Sequence, residues 1–298
     1  MIHLMRFKKL YIIFSLLIIL PGLFYLFTSG LKLGIDFTGG GLLEYQFEQT
    51  ASGSAQIKSD EEIKTDLSKY GTVTPSGDRT FLLRTKPMEQ SELNSLKATI
   101  ASESGQFIVR REENVGPVIG KELEQKALIA LLVSIGAIVT YITWAFRKVP
   151  KPASSFRFAV ATIVSLIHDV LVVVGVFAIL GHFWNIEVDS LFVTALLTII
   201  GFSVHDTIVV FDRIRENLPK YMSHNFEYVA DVSIAQTLAR SLNTSFTVLF
   251  VMLALLLFGG ETIRWFVFAL LIGIISGTYS SIFNATAILT WWEERLGH

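Results

Sequence analysis

Long apolar runs separated by short polar connections fill most of this chain, and one interval of mixed polarity interrupts them. A helix that crosses the hydrocarbon of a bilayer needs about 20 mostly apolar residues. Six stretches qualify: Leu10–Phe27, Ala127–Phe146, about Phe158–Leu180, about Ser190–Phe211, a fifth ending at Phe258, and Trp265–Trp292. Arg6, Lys8 and Lys9 precede the first, as they would in a cleaved signal peptide. The run is long for a signal core, however, and Thr28-Ser29-Gly30 is a poor cleavage site, so the segment reads as an uncleaved anchor. The second and sixth stretches hold 20 and 28 residues without a charge. The fifth has only 13 clean apolar residues, Phe246–Phe258, too few to cross. Its helix is expected to start near residue 239, drawing Arg240, Asn243, Thr244 and Ser245 to the membrane surface or below it. A re-entrant or thinned segment is the alternative.

Residues 33–117 have the composition of a soluble domain. Gly34–Glu48 reads as a strand interrupted by glycine. Asp60–Tyr70 has helical spacing, with Ile63, Leu67 and Tyr70 on one face and Ser59 as its cap. Thr72-Val73-Thr74 and Thr80–Arg84 flank the turn sequence Pro75-Ser76-Gly77-Asp78, which predicts a hairpin. Ser91–Ser102 is helical, with Leu93, Leu96 and Ile100 together, and Phe107–Arg111 is a last strand. The order βαββαβ is that of a ferredoxin-like domain. The predicted fold is therefore a polytopic α-helical membrane protein with six transmembrane helices and one α+β extracytoplasmic domain. Residues 1–29 form the cytoplasmic N-terminus and first span, 30–125 the domain, and 126–298 the other five spans with their loops.

Composition agrees with this reading. Of 298 residues, 51% are apolar and only 17% charged, against about 25% charged in a typical soluble domain. The mean hydropathy is +0.53. A net charge of −1 gives no reason to expect a nucleic-acid partner. The absence of cysteine excludes disulfides and thiolate metal sites. Orientation follows from Lys and Arg in the short connections. Arg6, Lys8, Lys9, Arg147, Lys148, Lys151, Arg157, Arg213, Arg215, Lys220, Arg240 and Arg295 fall on one side, and the opposite short loops hold only Arg264. That asymmetry puts both termini in the cytoplasm and the α+β domain outside.

No enzyme signature is present: neither Gly-x-Ser-x-Gly nor His-Glu-x-x-His occurs, and there is no cysteine nucleophile. Asp36 beside Gly39-Gly40-Gly41 lacks the helix and the Lys-Ser/Thr of a phosphate loop. Gly116–Lys121 has one residue too few between its glycines and Glu122 where Ser or Thr is required. The chain is not expected to be an enzyme, and no cofactor or metal is called for. Any work it does needs a partner or another energy source.

The chemistry-bearing residues lie inside the spans. An ionisable group at mid-bilayer costs about 2.5–3.5 kcal/mol on insertion scales, so each is a functional candidate. His168-Asp169 interrupts the third span and His205-Asp206 the fourth. The first pair sits near mid-span and reads either as buried packing or as a polar site. Asp206 lies near the cytoplasmic end of its span, and its side chain is too short to snorkel, whereas Arg240 can. The fourth and fifth spans form an antiparallel hairpin, which places Asp206 and Arg240 at similar depth as a candidate ion pair. Against this, Ser190, Thr194, Thr198, Gly201 and His205 fall within an arc of about 80° at 100° per residue, which would make His205 the inward group. Spacing leaves both open. Ala269, Gly273, Gly277 and Ser281 read as a close-packing helix face.

Several segments resemble the SecF members of the SecD/SecF family, within the resistance-nodulation-division superfamily. They are Leu33–Gly40 after the first span, Val115–Gly120 before the second, Gly201–Asn217 in the fourth, and Arg240–Ser245 in the fifth. The resemblance implies a SecD partner with six further spans, the SecYEG channel as a second partner, preproteins as substrate, and a bacterial cytoplasmic membrane location. It further implies that proton flow drives export, with Asp206 and Arg240 as the proton relay. His205, His168, Asp169 and Asn243 are auxiliary candidates, and His205 stands where the family often has Asn. The competing readings are a proton-driven small-molecule or lipid exporter half-unit and a purely structural subunit.

Overall fold

The computed structural model describes residues 3–47, 58–147, 149–150 and 153–296. Glu48, expected to end the first strand, and Lys148 and Lys151, counted in the charge asymmetry, lie outside the described residues. The chain divides into two compact units, one of residues 33–128 and one of residues 1–32 with 129–298.

The smaller unit opens with a one-turn helix, α2 (Ile35–Thr38), and continues through β1 (Gly40–Phe47), α3 (Asp60–Ser68), β2 (Thr72–Gly77), β3 (Thr80–Thr85), α4 (Gln90–Ser104) and β4 (Phe107–Val115). Its four strands are antiparallel in the order β2-β3-β1-β4, the order of the ferredoxin-like βαββαβ unit. Alternation along the strands turns Leu43, Tyr45, Phe47, Phe81 and Leu83 to one face, where Ile63 and Leu67 of α3 and Leu93, Leu96 and Ile100 of α4 cover them. Fully burying each such side chain contributes about 1.5–3 kcal/mol. Ser59 caps α3: its hydroxyl accepts from the Glu62 N–H while the Glu62 carboxylate accepts from the Ser59 N–H at 2.8 Å.

Two expectations shift. Gly34–Thr38 is not strand: positive φ at Gly39 (73°) and Gly40 (134°) ends a helical turn and redirects the chain into β1. The hairpin tip lies at Asp78-Arg79, with Arg79 at φ 48°. Pro75 lies within β2, which tolerates it because β2 is an edge strand and the missing N–H breaks no inner ladder.

Among the described residues six helices are long and apolar enough to cross a membrane: Met5–Ser29, Val118–Ala145, Ser155–Trp184, Ser190–Asn217, Phe226–Phe258 and Thr262–Arg295. The first contains α1 (Lys8–Ser29), and the next four correspond to α5 (Pro117–Ala145), α6 (Ser155–Trp184), α7 (Ser190–Asn217) and α8 (Phe226–Phe258). The sixth is α9 (Glu261–Tyr279), a π turn (Ser280–Asn284) and α10 (Ala285–Arg295). The fifth helix is longer than expected. It runs 33 residues from an Asn225 cap, so Arg240 lies in its interior and the re-entrant alternative falls away.

Close approaches of glycine set the packing. A Cβ on Gly22 of α1 would stand 2.6 Å from Gly175 Cα of α6, and one on Gly273 of α9 would stand 2.3 Å from Ile199 of α7. The Ala269–Ser281 face of the sixth helix is buried accordingly. On the side where α1 starts and α10 ends, Lys8 of α1 bridges Glu227 of α8 (2.8 Å) and Glu294 of α10 (2.7 Å). There too Arg157 of α6 meets Glu293 of α10 at 2.6 Å. By contrast α5 exposes Leu128, Ile129, Leu132 and Val133.

Candidate functional site

Two aspartates sit deep among the spans, and their surroundings differ in kind. Asp169 of α6 is 0% exposed. Its Oδ1 accepts from His168 Nδ1 (3.0 Å) and Ser276 Oγ (2.8 Å), and its Oδ2 from Ser203 Oγ (2.6 Å) and Ser280 Oγ (2.7 Å). A carboxylate offers about four acceptor positions, and here each is filled by a short contact. Besides the neighbouring His168, the donors come from two other spans: α7 supplies Ser203, and the sixth span supplies Ser276 from α9 and Ser280 from its π turn. Gly277 makes room for this, since a Cβ there would stand 3.2 Å from Ser203 Cβ and 3.6 Å from Asp169 Oδ2.

Asp206 of α7 is 1% exposed yet loosely held. Its contacts are Ser245 Oγ of α8 at 3.4 Å and His205 Nδ1 at 3.5 Å. The first is weaker than it looks. Thr278 Oγ1 donates to the Ile274 carbonyl at 2.8 Å, so in its 2.7 Å contact with Thr278 the Ser245 hydroxyl is the donor. Little of that hydrogen remains for Asp206. Ser241, one turn before Ser245 on the same face, is buried with no protein partner for its hydroxyl.

The structure brings Asp206 beside His205 and Ser245, and it keeps Arg240 apart. Among the described residues no ion pair joins Asp206 to Arg240, and Arg240 is exposed. The reason is helical geometry. Ser245 is level with Asp206, and Arg240 is five residues earlier, about 7.5 Å along the axis and about 140° around it. His205 is 63% exposed at its side chain, and Ser190, Thr194, Thr198 and Gly201 of its stripe are exposed as well. The stripe therefore points out of the bundle, and Asp206 is the inward group. Arg240, Asn243, Thr244 and Thr247 form a second exposed polar strip on α8. His168 is buried.

The serine cage of Asp169 escaped sequence reasoning. Ser276 and Ser280 are four apart on one face, which was a readable signal, but the π turn that aims Ser280 was not. Among the described residues no group of three or more His, Cys, Asp or Glu could hold a metal ion.

Two family models match the chain: "Protein export membrane protein SecD/SecF, C-terminal" over residues 95–295, and "SecD/SecF GG Motif" over residues 24–51. The chain is 46% identical to the protein translocase subunit SecF of Thermobaculum terrenum, over 99% of this chain and 95% of that one. It is 42% identical to that of Anaerolinea thermophila, again over 99% and 95%. Among solved structures it resembles SecDF of Thermus thermophilus, a translocon-associated membrane protein, with a TM-score of 0.81 and 34% identity over 98% of this chain. It spans only 38% of the length of that SecDF chain.

Proposed function

Because the chain belongs to the SecD/SecF family of protein export membrane proteins, we propose that it works with a SecD subunit beside the SecYEG channel. Together they use the proton gradient of a bacterial cytoplasmic membrane to promote preprotein movement on the outer side. In this reading both chain ends are cytoplasmic and the α+β unit is extracytoplasmic, which the basic asymmetry of the short loops supports. The chain itself performs no covalent chemistry.

The observation that carries the reading is the state of Asp206, buried at 1% exposure with no hydrogen bond or ion pair shorter than 3.4 Å among the described residues. A buried charge without close donors is unfavourable, and neutralising it by a proton relieves the cost. Asp206 is thus poised between two states, and Arg240, more than a turn away, is the cation that the ionised state can draw in. Protonating Asp206 releases Arg240 toward water or toward a carboxylate of the partner. Each state favours a different packing of α7 against α8, and the α+β unit, joined to α1 and α5, follows.

The exposed polar strips of α7 and α8 support the SecD partner. Thr194, Thr198 and Thr247 bond to carbonyls of their own helices, but His205 and Asn243 would present their polar side chains to hydrocarbon in an isolated chain, where uncompensated polar groups are costly. A second set of spans with matching polar groups covers them. Preprotein export into inverted membrane vesicles, with and without a proton gradient, tests the reading. Vesicles holding the chain and its partner should export more when the gradient is present. A gradient effect that survives removal of the chain would overturn it.

A further inference from the structure

We propose that the seam between α6 and the sixth span holds a file of water molecules, ending at His168 Nε2. The two helices run antiparallel with a register fixed at both ends. Arg157–Glu293 (2.6 Å) and the Phe156–Trp292 ring pair close the end near Arg295, and Asp169–Ser280 (2.7 Å) closes the inner end. The twelve residues from Arg157 to Asp169 make this seam about 18 Å long at 1.5 Å per residue.

Polar side-chain atoms with no protein partner lie along it. Ser165 Oγ and His168 Nε2 on α6, and Thr286 Oγ1 and Thr290 Oγ1 on α10, are each buried without a hydrogen bond to protein. Thr286 and Thr290 are 0% exposed. They fall within about 60° of Glu293 on the helix, and Ser165 and His168 lie between the directions of Arg157 and Asp169, at 100° per residue. Each hydroxyl could have bonded to the carbonyl four residues back, as Thr162 does with Phe158 at 2.9 Å. These do not. A lone unmet hydroxyl is an isolated defect, but four in one seam, spaced about a turn apart, make a wettable line. Buried water characteristically bridges such groups.

The chemistry at the inner end is directional. Asp169 accepts from His168 Nδ1 (3.0 Å), so that nitrogen carries hydrogen and Nε2 presents its lone pair to the seam. The last water of the file donates to Nε2 while Nδ1–H stays on Asp169. The charged groups at the far end of the seam are Arg157 on α6 and Glu293 on α10, and at the dyad the polar contacts among the described residues come from serines. From α7 comes Ser203, with Asp206 turned toward α8. From α9 comes Ser276, and from the π turn Ser280.

Solid-state NMR with magnetisation transfer from water tests this on the full chain in bilayers with its partner, using 15N-histidine label. The chain has six histidines, and His168→Gln identifies the signal of interest by its loss. We expect a water cross-peak at His168 Nε2. Thr286→Val combined with Thr290→Val should lose most of its intensity while thermal unfolding stays at the parent value, and the smaller change Ser165→Ala should reduce it as well. A parent protein with no water cross-peak at His168, or a cross-peak undiminished in both variants, overturns the proposal. Neither spectrum depends on export, so the outcome is separate from that of the Asp206 reading.

Discussion

Ser245 Oγ stands 3.4 Å from Asp206 Oδ2, which puts Ser245 of α8 level with Asp206 of α7. The face of α8 that meets Asp206 is lined by small hydroxyls, Ser241 and Ser245, and Arg240 leaves the helix about 140° around from Ser245. An arginine so placed can reach toward Asp206 only by a change in its own side chain or in the helix pairing, which is what a coupling element needs.

Arg240→Lys keeps the charge and loses the planar five-donor fork. Arg240 is exposed, so the variant should insert and unfold thermally as the parent does. Gradient-dependent export should fall below the parent level without vanishing. Export at the full parent level would remove the fork from the mechanism.

Asp169→Ala and Asp206→Asn should separate sharply in stability. Removing Asp169 strands three serine hydroxyls and an imidazole N–H, each worth about 1–3 kcal/mol when left buried and unmet. Rotation of the serines toward backbone carbonyls recovers part, leaving a loss of roughly 3 kcal/mol. Asp206→Asn gives up only long contacts and should cost under about 1 kcal/mol. Reversible unfolding in mixed micelles measures both, and equal losses would contradict the contrast drawn between the two sites.

The chain has no cysteine, so single introduced thiols report topology cleanly. Ser76 and Ser223 are both exposed. In intact spheroplasts an impermeant reagent should label Ser76→Cys and spare Ser223→Cys. The reverse pattern would invert the orientation.

Acid should loosen the α+β unit in a defined window. The Lys58 ammonium hydrogen-bonds Asp66 and holds its carboxyl below the usual range, with Lys69 adding to the effect. A lowered folded value means that the stabilisation is complete above the unfolded value, about 3.9, and drains away as pH falls through the folded one. Hydrogen exchange in α3 of the full chain should rise below about pH 4, and Asp66→Asn should flatten that rise. An identical acid profile in Asp66→Asn would assign the effect elsewhere.

The spans and the order of strands and helices were readable because each rests on local pattern: run length for the spans, and period and turn residues for Ile63–Leu67 and Leu93–Ile100. What eluded the sequence depends on contacts between distant segments. The start of α8 at Phe226 lies in ordinary polar helix, where hydropathy has no edge. The turn at Asp78-Arg79 moved because edge strand β2 could absorb Pro75. Asp206 and Arg240 were legible as candidates by residue type, but their separation is set by Ser245 facing α7. The Asp169 cage draws on α7, α9 and a π turn, and no single stretch of sequence holds it.

The most direct test of the central claim is gradient-dependent export into inverted vesicles carrying Asp206→Asn. Asn has nearly the shape of the protonated acid and cannot release a proton. The variant should assemble with its partner, unfold like the parent, and show no stimulation when the proton gradient is applied. Full stimulation by the gradient in Asp206→Asn would show that Asp206 does not carry the proton, and the account of α7 and α8 as the coupling pair would fall with it.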